Sequence, residues 1–195
     1  MLAAKIRHRH IILASASPRR QEFLKQMHLP YRVELREVKE VYPPDLKGAA
    51  VADYLAILKA NAFQDLKPGE ILITGDTIVW HNGKALGKPT TTNEAISMLR
   101  SLSGSWHEVI SSVCFKTEDQ QLCLNDTCKV WFKTLTEAEI QHYVSHYPVL
   151  DKAGAYGIQD WIGLIGVEKI EGSYNTVMGF PTHLVYKTLM QFAMS

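Results

Sequence analysis

The chain has 195 residues, of which 46% are apolar and 21% charged, and its formal net charge is +1. These values are ordinary for a globular protein and exclude a disordered or collagen-like chain. The near-neutral charge argues against a nucleic-acid partner held by bulk electrostatics. The apolar run at residues 11–14 is too short for a signal peptide or a membrane span, so we expect a cytoplasmic protein without a membrane partner.

The first half of the chain alternates short apolar runs with stretches of helical periodicity. This pattern predicts strands at 11–14 and 31–38 and helices at 18–27 and 49–64. A further buried strand is predicted at 71–74, ending at Gly75-Asp76-Thr77. Asn82-Gly83 is a hairpin-turn signal, and it predicts pairing of the segments on either side of it.

The second half carries two capping boxes, Thr91-x-x-Glu94 and Thr136-x-x-Glu139, each of which predicts the start of a helix. Strands are predicted at 108–115 and 126–132, and a last helix after Pro181. We therefore expect a mixed α/β (α+β) chain rather than a regular βαβ series. No linker divides it, so residues 1–195 are expected to form a single domain.

The first cluster of polar residues lies between a predicted strand and helix, at Ser15-Ala16-Ser17-Pro18-Arg19-Arg20. Ser17 suits the N-cap position and Pro18 the first helical position. Arginines in a first helical turn are unfavourable unless an anion is bound there, and helix N-terminal N–H groups favour phosphate. The cluster is therefore either a phosphate site or an ordinary capped helix with solvated arginines.

Asp76 follows an apolar run, and a carboxylate at the carboxyl end of a strand is well placed for a ligand or a metal. Mg²⁺ favours one or two carboxylates together with phosphate oxygens. The alternative is an aspartate that caps its own turn. Lys88 stands in a tight loop before Pro89, where it either meets a ligand or is solvated.

The segment 151–159 combines glycines, which allow close approach of the backbone to a ligand, with polar side chains. Gln159 offers both a donor and an acceptor, as the recognition of a base edge requires. A glycine-rich loop without such a role is the alternative interpretation.

In their order along the chain, these segments resemble the Maf family of nucleotide pyrophosphatases. The resemblance rests on the following residues: Leu13-Ala14-Ser15-Ala16-Ser17-Pro18-Arg19-Arg20, Lys59-Ala60, Gly75-Asp76-Thr77-Ile78-Val79, Leu86-Gly87-Lys88-Pro89, Leu102-Ser103-Gly104, Asp151-Lys152-Ala153-Gly154-Ala155-Tyr156-Gly157-Ile158-Gln159, Gly172-Ser173-Tyr174 and Gly179-Phe180-Pro181.

The resemblance implies a mixed twisted sheet flanked by helices, similar to that of the inosine triphosphatases, with two lobes around a central cleft and often a homodimer. It also implies hydrolysis of a nucleoside triphosphate to the monophosphate and pyrophosphate, with Mg²⁺ or Mn²⁺. Water would attack the α-phosphorus, the metal would lower the pKa of that water, and Asp76 would act as general base.

The residues that the resemblance assigns to the site fall into three groups. The catalytic group is Asp76, Arg19, Arg20, Lys59 and Lys88. The substrate-binding group is Ser15, Ser17, Arg19, Thr77, Lys152 and Gln159. The metal ligands are Asp76 and a glutamate before the second helix, which falls on Glu40 with Glu37 as the alternative.

The combination of Arg19, Thr77 and Gln159 looks like the branch of the family that acts on dTTP and UTP. Two other functions stay open. One is a regulator of cell division that binds nucleotide without turnover. The other is a purine-directed pyrophosphatase that acts on ITP or 7-methyl-GTP.

Overall fold

The computed structural model of the protein describes residues 1–194 and contains a seven-stranded mixed sheet. Its strands are β1 (His10–Leu13), β2 (Tyr31–Val33), β3 (Glu70–His81), β4 (Lys84–Leu86), β5 (Trp106–Lys116), β6 (Gln121–Phe132) and β7 (Val167–Glu171). Their order is β2-β1-β3-β5-β6-β7, with β4 paired to β3. β1 runs parallel to β2 and β3, and the remaining pairs are antiparallel. The predicted mixed α/β class is confirmed.

The helices are α1 (Leu2–Lys5), α2 (Pro18–Gln26), α3 (Ala49–Asn61), α4 (Thr92–Leu102), α5 (Glu137–His146), α6 (Trp161–Gly166), α7 (Tyr174–Val177) and α8 (Thr182–Phe192). A short 3₁₀ turn covers Ala153–Ala155. Within residues 1–194, no helix combines the length and the apolar character that a membrane crossing needs.

The predicted helix starts are confirmed by their caps. The Ser17 and Thr91 side chains each accept a hydrogen bond from a backbone N–H of the first turn. Thr136 and Glu139 form a complete, reciprocal capping box. In the box at Thr91, however, the Glu94 carboxylate bonds to Thr90 instead.

Side-chain alternation along β3 and β5 divides the core between the two faces of the sheet. Leu72 of β3 and Cys114 of β5 pack on α3 with Ala56 and Ala60. The other face carries two clusters. One lies under α8 and includes Ile71, Ile73, Val113, Phe115, Val185 and Leu189. The second lies under α4 and α5 and includes Val79, Leu99, Val109, Ile140 and Tyr143. Asp76, on the even-numbered side of β3, therefore projects towards α3.

Three strand predictions were wrong in extent. The strand predicted at 126–132 begins at Gln121, because β5 pairs with it from there. The strand predicted at 31–38 ends at Val33, because its neighbour β1 offers only three paired positions. The strand predicted at 71–74 does not stop at Gly75-Asp76-Thr77, because β5 continues to pair with β3 from Leu72 to Trp80. The hairpin at Asn82-Gly83 is confirmed, and both of its residues have positive φ.

Candidate active site

A gap in strand pairing forms the base of the site. β1 pairs with β3 as far as Ile73, and β4 pairs with it from Val79 onwards, both on the edge opposite β5. Among the described residues, the stretch between these two pairings has no strand partner on that edge. Asp76 therefore lies in the middle of a long strand, so the prediction that it follows the end of a strand was wrong. The alternative in which Asp76 caps its own turn is excluded for the same reason. The backbone edge at Asp76 faces a cleft.

Arg20 fills this gap from the first turn of α2. Its Nε donates to the Gly179 carbonyl at 2.9 Å and its Nη1 to the Gly75 carbonyl at 2.8 Å. Ser15 Oγ and Thr77 Oγ1 accept two further bonds at 3.3 and 3.1 Å. A guanidinium has five N–H donors, so four of them are used within the protein and one is left for a ligand.

The glycine at position 75 makes this close approach possible. A Cβ atom there would lie 2.8 Å from the Ser112 carbonyl and 3.5 Å from the guanidinium carbon of Arg20. Burial lowers the pKa of Arg20, and the Asp76 carboxylate opposes that effect. The Arg20 guanidinium is therefore a fixed, buried part of the cleft wall.

A cation and two carboxylates meet beside it. Lys59, in the last turn of α3, places its Nζ 2.7 Å from Asp76 Oδ1 and 3.2 Å from Glu40 Oε1. Burial raises the pKa of Asp76, while the ammonium of Lys59 works in the opposite direction. The two carboxylates are thereby gathered around one positive charge.

This pair of carboxylates suits a magnesium-like ion. Within the described chain, no group of three or more histidine, cysteine or acidic side chains could hold a metal on its own. Mg²⁺ is commonly bound by one or two carboxylates with substrate phosphates completing its coordination. Asp76 and Glu40 already face a common cation, Lys59 Nζ, so the residues fit such an ion.

The start of α2 offers a second binding surface. Ser17 caps the helix, accepting from the Arg20 N–H at 3.5 Å, and its own N–H donates to Ser15 Oγ at 3.2 Å. Arg19 is half-buried, and we find no hydrogen bond or ion pair of its guanidinium within residues 1–194. The whole Arg19 guanidinium is therefore available to an anion, whereas Arg20 has only one N–H donor left.

The loop after α5 carries Gln159 to the mouth of the cleft. The Lys152 side chain is only 5% exposed. Its Nζ contacts the Pro148 carbonyl, Asp151 Oδ1 at 2.8 Å and Asp160 Oδ2 at 3.7 Å. Its ammonium thus ties the loop together, which speaks against its predicted direct role in binding substrate. The Gln159 side chain is exposed and has no hydrogen-bond partner in the described chain.

All the predicted site residues lie on one cavity of about 1090 Å³, which is at the large end of ligand pockets. They are Ser15, Ser17, Arg19, Arg20, Glu40, Lys59, Asp76, Thr77, Lys88, Lys152 and Gln159. Glu37 lines the cavity too, but Glu40 is the glutamate that contacts Lys59. Lys88 is exposed in the loop after β4.

Some contacts in the cavity wall were not anticipated from the sequence. Arg36 lies 4.2 Å above the Phe63 ring, and both side chains line the cavity. Tyr156 forms part of the wall, and its hydroxyl lies 2.7 Å from His107 Nε2. Burial lowers the pKa of His107 to about 3, so this histidine is neutral. No local pattern marks these contacts, because each joins segments that are distant in sequence.

Comparison with known proteins gives a matching family model and several relatives that share one name. The family model described as Maf-like protein matches residues 10–192. A protein of Flavobacterium johnsoniae is 52% identical over 190 residues, covering 97% of this chain and 98% of its own. One from Christiangramia forsetii is 51% identical, covering 98% of both chains, and one from Bacteroides fragilis is 50% identical, covering 98% and 100%. All three are named dTTP/UTP pyrophosphatase.

Solved structures show the same fold at much lower identity. The Staphylococcus aureus Ham1 protein superimposes with a TM-score of 0.56 and 16% identity, covering 94% of this chain and 99% of its own. A HAM1 protein from Coxiella burnetii gives a TM-score of 0.53 and 12% identity, with the same coverage. These two structures support the fold. At this identity they carry no information about the substrate.

Proposed function

The chain belongs to the Maf family, and from this premise we propose that it hydrolyses dTTP and UTP to the monophosphate and pyrophosphate. The observation that carries the proposal is the meeting of Asp76, Glu40 and Lys59 in a cavity that also holds Arg19 and Lys88. Relatives of that name about 50% identical over nearly their whole length support the choice of nucleotide. One domain with two lobes around the cleft is part of the same proposal.

The triphosphate binds against the start of α2. Arg19 receives phosphate oxygens through its guanidinium and its backbone N–H, because the helix N-terminus carries a partial positive charge. Pro18 has no N–H, and the N–H groups of Arg20 and Gln21 already donate to Ser17. Lys88 approaches from the opposite loop. Ser15 and Ser17 hold the backbone of the loop in the conformation that presents these groups.

Asp76 and Glu40 would hold Mg²⁺ or Mn²⁺ together with substrate phosphate, and the metal would supply Lewis-acid polarisation of a phosphoryl oxygen and of the attacking water. Asp76 accepts the proton of the water that attacks the α-phosphorus, since its carboxylate lines the cavity in which the triphosphate is proposed to bind. Lys59 orients Asp76 and stabilises the charge that develops on the phosphates. Arg20 is a positioning residue that keeps β3, the Ser15 loop and Gly179 together.

Gln159, exposed at the mouth, reads the edge of the pyrimidine base. A glutamine amide can both donate to and accept from such an edge. Lys152 fixes the loop behind it, and the Thr77 hydroxyl, already bonded to Arg20 and Ser111, shapes the adjoining wall.

The variant Asp76→Asn tests the catalytic proposal. We expect it to fold and to lose at least about 10²-fold in kcat for dTTP, because the loss of the carboxylate removes the base and a metal ligand together. Pyrophosphate release from purified protein is the measurement. Asp119→Asn, on the β5–β6 turn, is the matched control and keeps normal turnover. Near-normal turnover by Asp76→Asn would refute the role of Asp76.

A substrate panel at equal concentrations tests the specificity. dTTP and UTP are expected to be hydrolysed faster than ITP or 7-methyl-GTP, and Gln159→Ala to lose more on dTTP than on inorganic triphosphate. Preference for a purine would favour the purine-directed alternative. Tight dTTP binding by the wild type without pyrophosphate release would favour the regulator of cell division.

The remaining family traits are also proposals. We infer that the protein is a cytoplasmic homodimer that binds neither nucleic acid nor membrane. The near-neutral charge of +1 supports the lack of a nucleic-acid partner. Light scattering coupled to gel filtration tests the dimer, and a mass near 22.0 kDa would contradict it.

A further inference from the structure

Two of the three cysteines stand directly opposite each other across the β5–β6 pair, Cys114 on β5 and Cys123 on β6. Residues opposed in an antiparallel pair have Cα atoms about 4.5–5.5 Å apart and side chains on the same face. Disulfides span Cα separations of about 4.4–6.8 Å. The register alone therefore brings this pair within bonding range.

The third cysteine is on the other side of the sheet. Cys123 packs with Cys114 in the cluster under α3. The offset from Cys123 to Cys128 along β6 is an odd number of positions, so their side chains point to opposite faces of the sheet. Cys128 is buried in the cluster under α4 and α5. In the folded protein Cys128 cannot reach either partner of the pair.

The surroundings of the pair are polar on one side and apolar on the other. Cys114 is fully buried among Ala56, Ala60 and Phe63, whereas Cys123 is partly exposed. The Cys123 sulfur lies 3.7 Å from Asp53 Oδ1. The Asp53 carboxylate accepts hydrogen bonds from Ser112 Oγ at 2.6 Å and from Asn125 Nδ2 at 2.9 Å. These bonds hold the polar side of the cysteine pair in place.

The two thiols also interact with each other. The proximity of the two thiols lowers the pKa of Cys114 and, together with burial, raises that of Cys123. Thiolate character therefore concentrates on the buried sulfur. The Cys123 thiol, which solvent can reach, must lose its proton before its sulfur attacks an oxidant, so its oxidation is slow.

We propose that Cys114 and Cys123 form a reversible cross-strand disulfide, making the β5–β6 pair beneath α3 a redox-modification site. With hydrogen peroxide as oxidant, Cys123 first gives its proton to solvent, and its thiolate attacks a peroxide oxygen. The O–O bond breaks, the departing hydroxide takes up a proton, and a sulfenic acid and one water form. Cys114 then attacks the oxidised sulfur, the S–S bond forms, and the second water leaves. Together the two thiols lose two electrons, and one peroxide molecule accepts them.

Peroxide treatment of the whole folded protein, followed by thiol titration in denaturant, tests the site. The titration should fall from three thiols to one, and dithiothreitol should restore all three. Non-reducing peptide mapping should show one linkage, Cys114 to Cys123, with a loss of two hydrogens. Protein oxidised in urea is the comparison, and there linkages to Cys128 should appear as well.

Single variants make the result specific. Cys128→Ser should still form the linkage, and Cys123→Ser should abolish it. Because the replacement of partly exposed Cys123 disturbs the core less than that of Cys114, folding of this variant is readily checked by circular dichroism. Three free thiols after treatment, a Cys123–Cys128 linkage in the folded protein, or Cys123 oxidised beyond sulfenic acid beside a free Cys114 would overturn the proposal. Peptide mapping of the wild type decides the question even if a variant fails to fold.

Discussion

Adjacent arginines in the first turn of α2 have different surroundings. The Arg20 guanidinium is bonded to Ser15, Gly75, Thr77 and Gly179, whereas that of Arg19 faces the cavity. Their sequence position suggested the same phosphate-binding role for both. Neither spacing nor residue type separates them, because the partners of Arg20 are up to 159 residues away.

This contrast predicts that replacement by lysine affects stability at position 20 and turnover at position 19. Arg20→Lys should lower the free energy of unfolding by about 2–4 kcal/mol, because an ammonium cannot replace a planar fork that satisfies four acceptors. Arg19→Lys should change stability by less than about 0.5 kcal/mol yet reduce turnover of dTTP. Urea unfolding and pyrophosphate release measure the two effects. Equal stabilities of the two variants would contradict the structural role of Arg20.

Among the elements, those with local signals were the easiest to predict. Cap residues at Ser17, Thr91 and Thr136 identified three helix starts correctly because each cap bonds within its own first turn. β3 was harder, because Gly75-Asp76-Thr77 has the composition of a turn and only its pairing with distant β5 keeps it extended. β7, with three charged residues among its five, gave no apolar alternation to detect.

The loop from Lys152 to Gln159 lies directly against β3. Gly154 has φ +68°, and a Cβ atom there would lie 2.8 Å from Val79 Cγ2. Gly154→Ala should therefore cost about 2–4 kcal/mol in unfolding free energy, from backbone strain and overpacking together. Gly87→Ala is the control, since its added Cβ meets open space. Thermal denaturation of both variants measures the difference, and equal melting temperatures would show that the loop yields freely.

For the whole molecule, sequence reasoning identified which residues share the cavity but not how they bond there. The order of the motifs brought together Arg19, Lys59, Asp76 and Lys88, and these side chains do line one cavity. The pairing of Asp76 and Glu40 through Lys59 depends on where α3 packs on the sheet. Such packing is set by the total burial of apolar surface, which no single motif encodes.

Because the cavity joins residues from both ends of the chain, ligand binding should stabilise the entire fold. dTTP at about 100 times its dissociation constant adds about 2.7 kcal/mol, or a rise of about 5–10 °C in Tm. Asp76→Asn with dTTP and Mg²⁺ in a thermal-shift experiment avoids turnover during the measurement. CTP and dATP are the comparison ligands. A rise of equal size with all of these nucleotides would argue against recognition of the base.

The unpaired stretch of β3 has a consequence for aggregation. An open strand edge is a template for pairing with a foreign strand, and this stretch is open although β1 and β4 cover the same edge of β3 on either side of it. The Arg20 guanidinium occupies the Gly75 carbonyl and so withholds that acceptor from an intruding chain. One side chain thus shapes the cleft and also removes one acceptor that an edge-to-edge contact between copies of the protein would need.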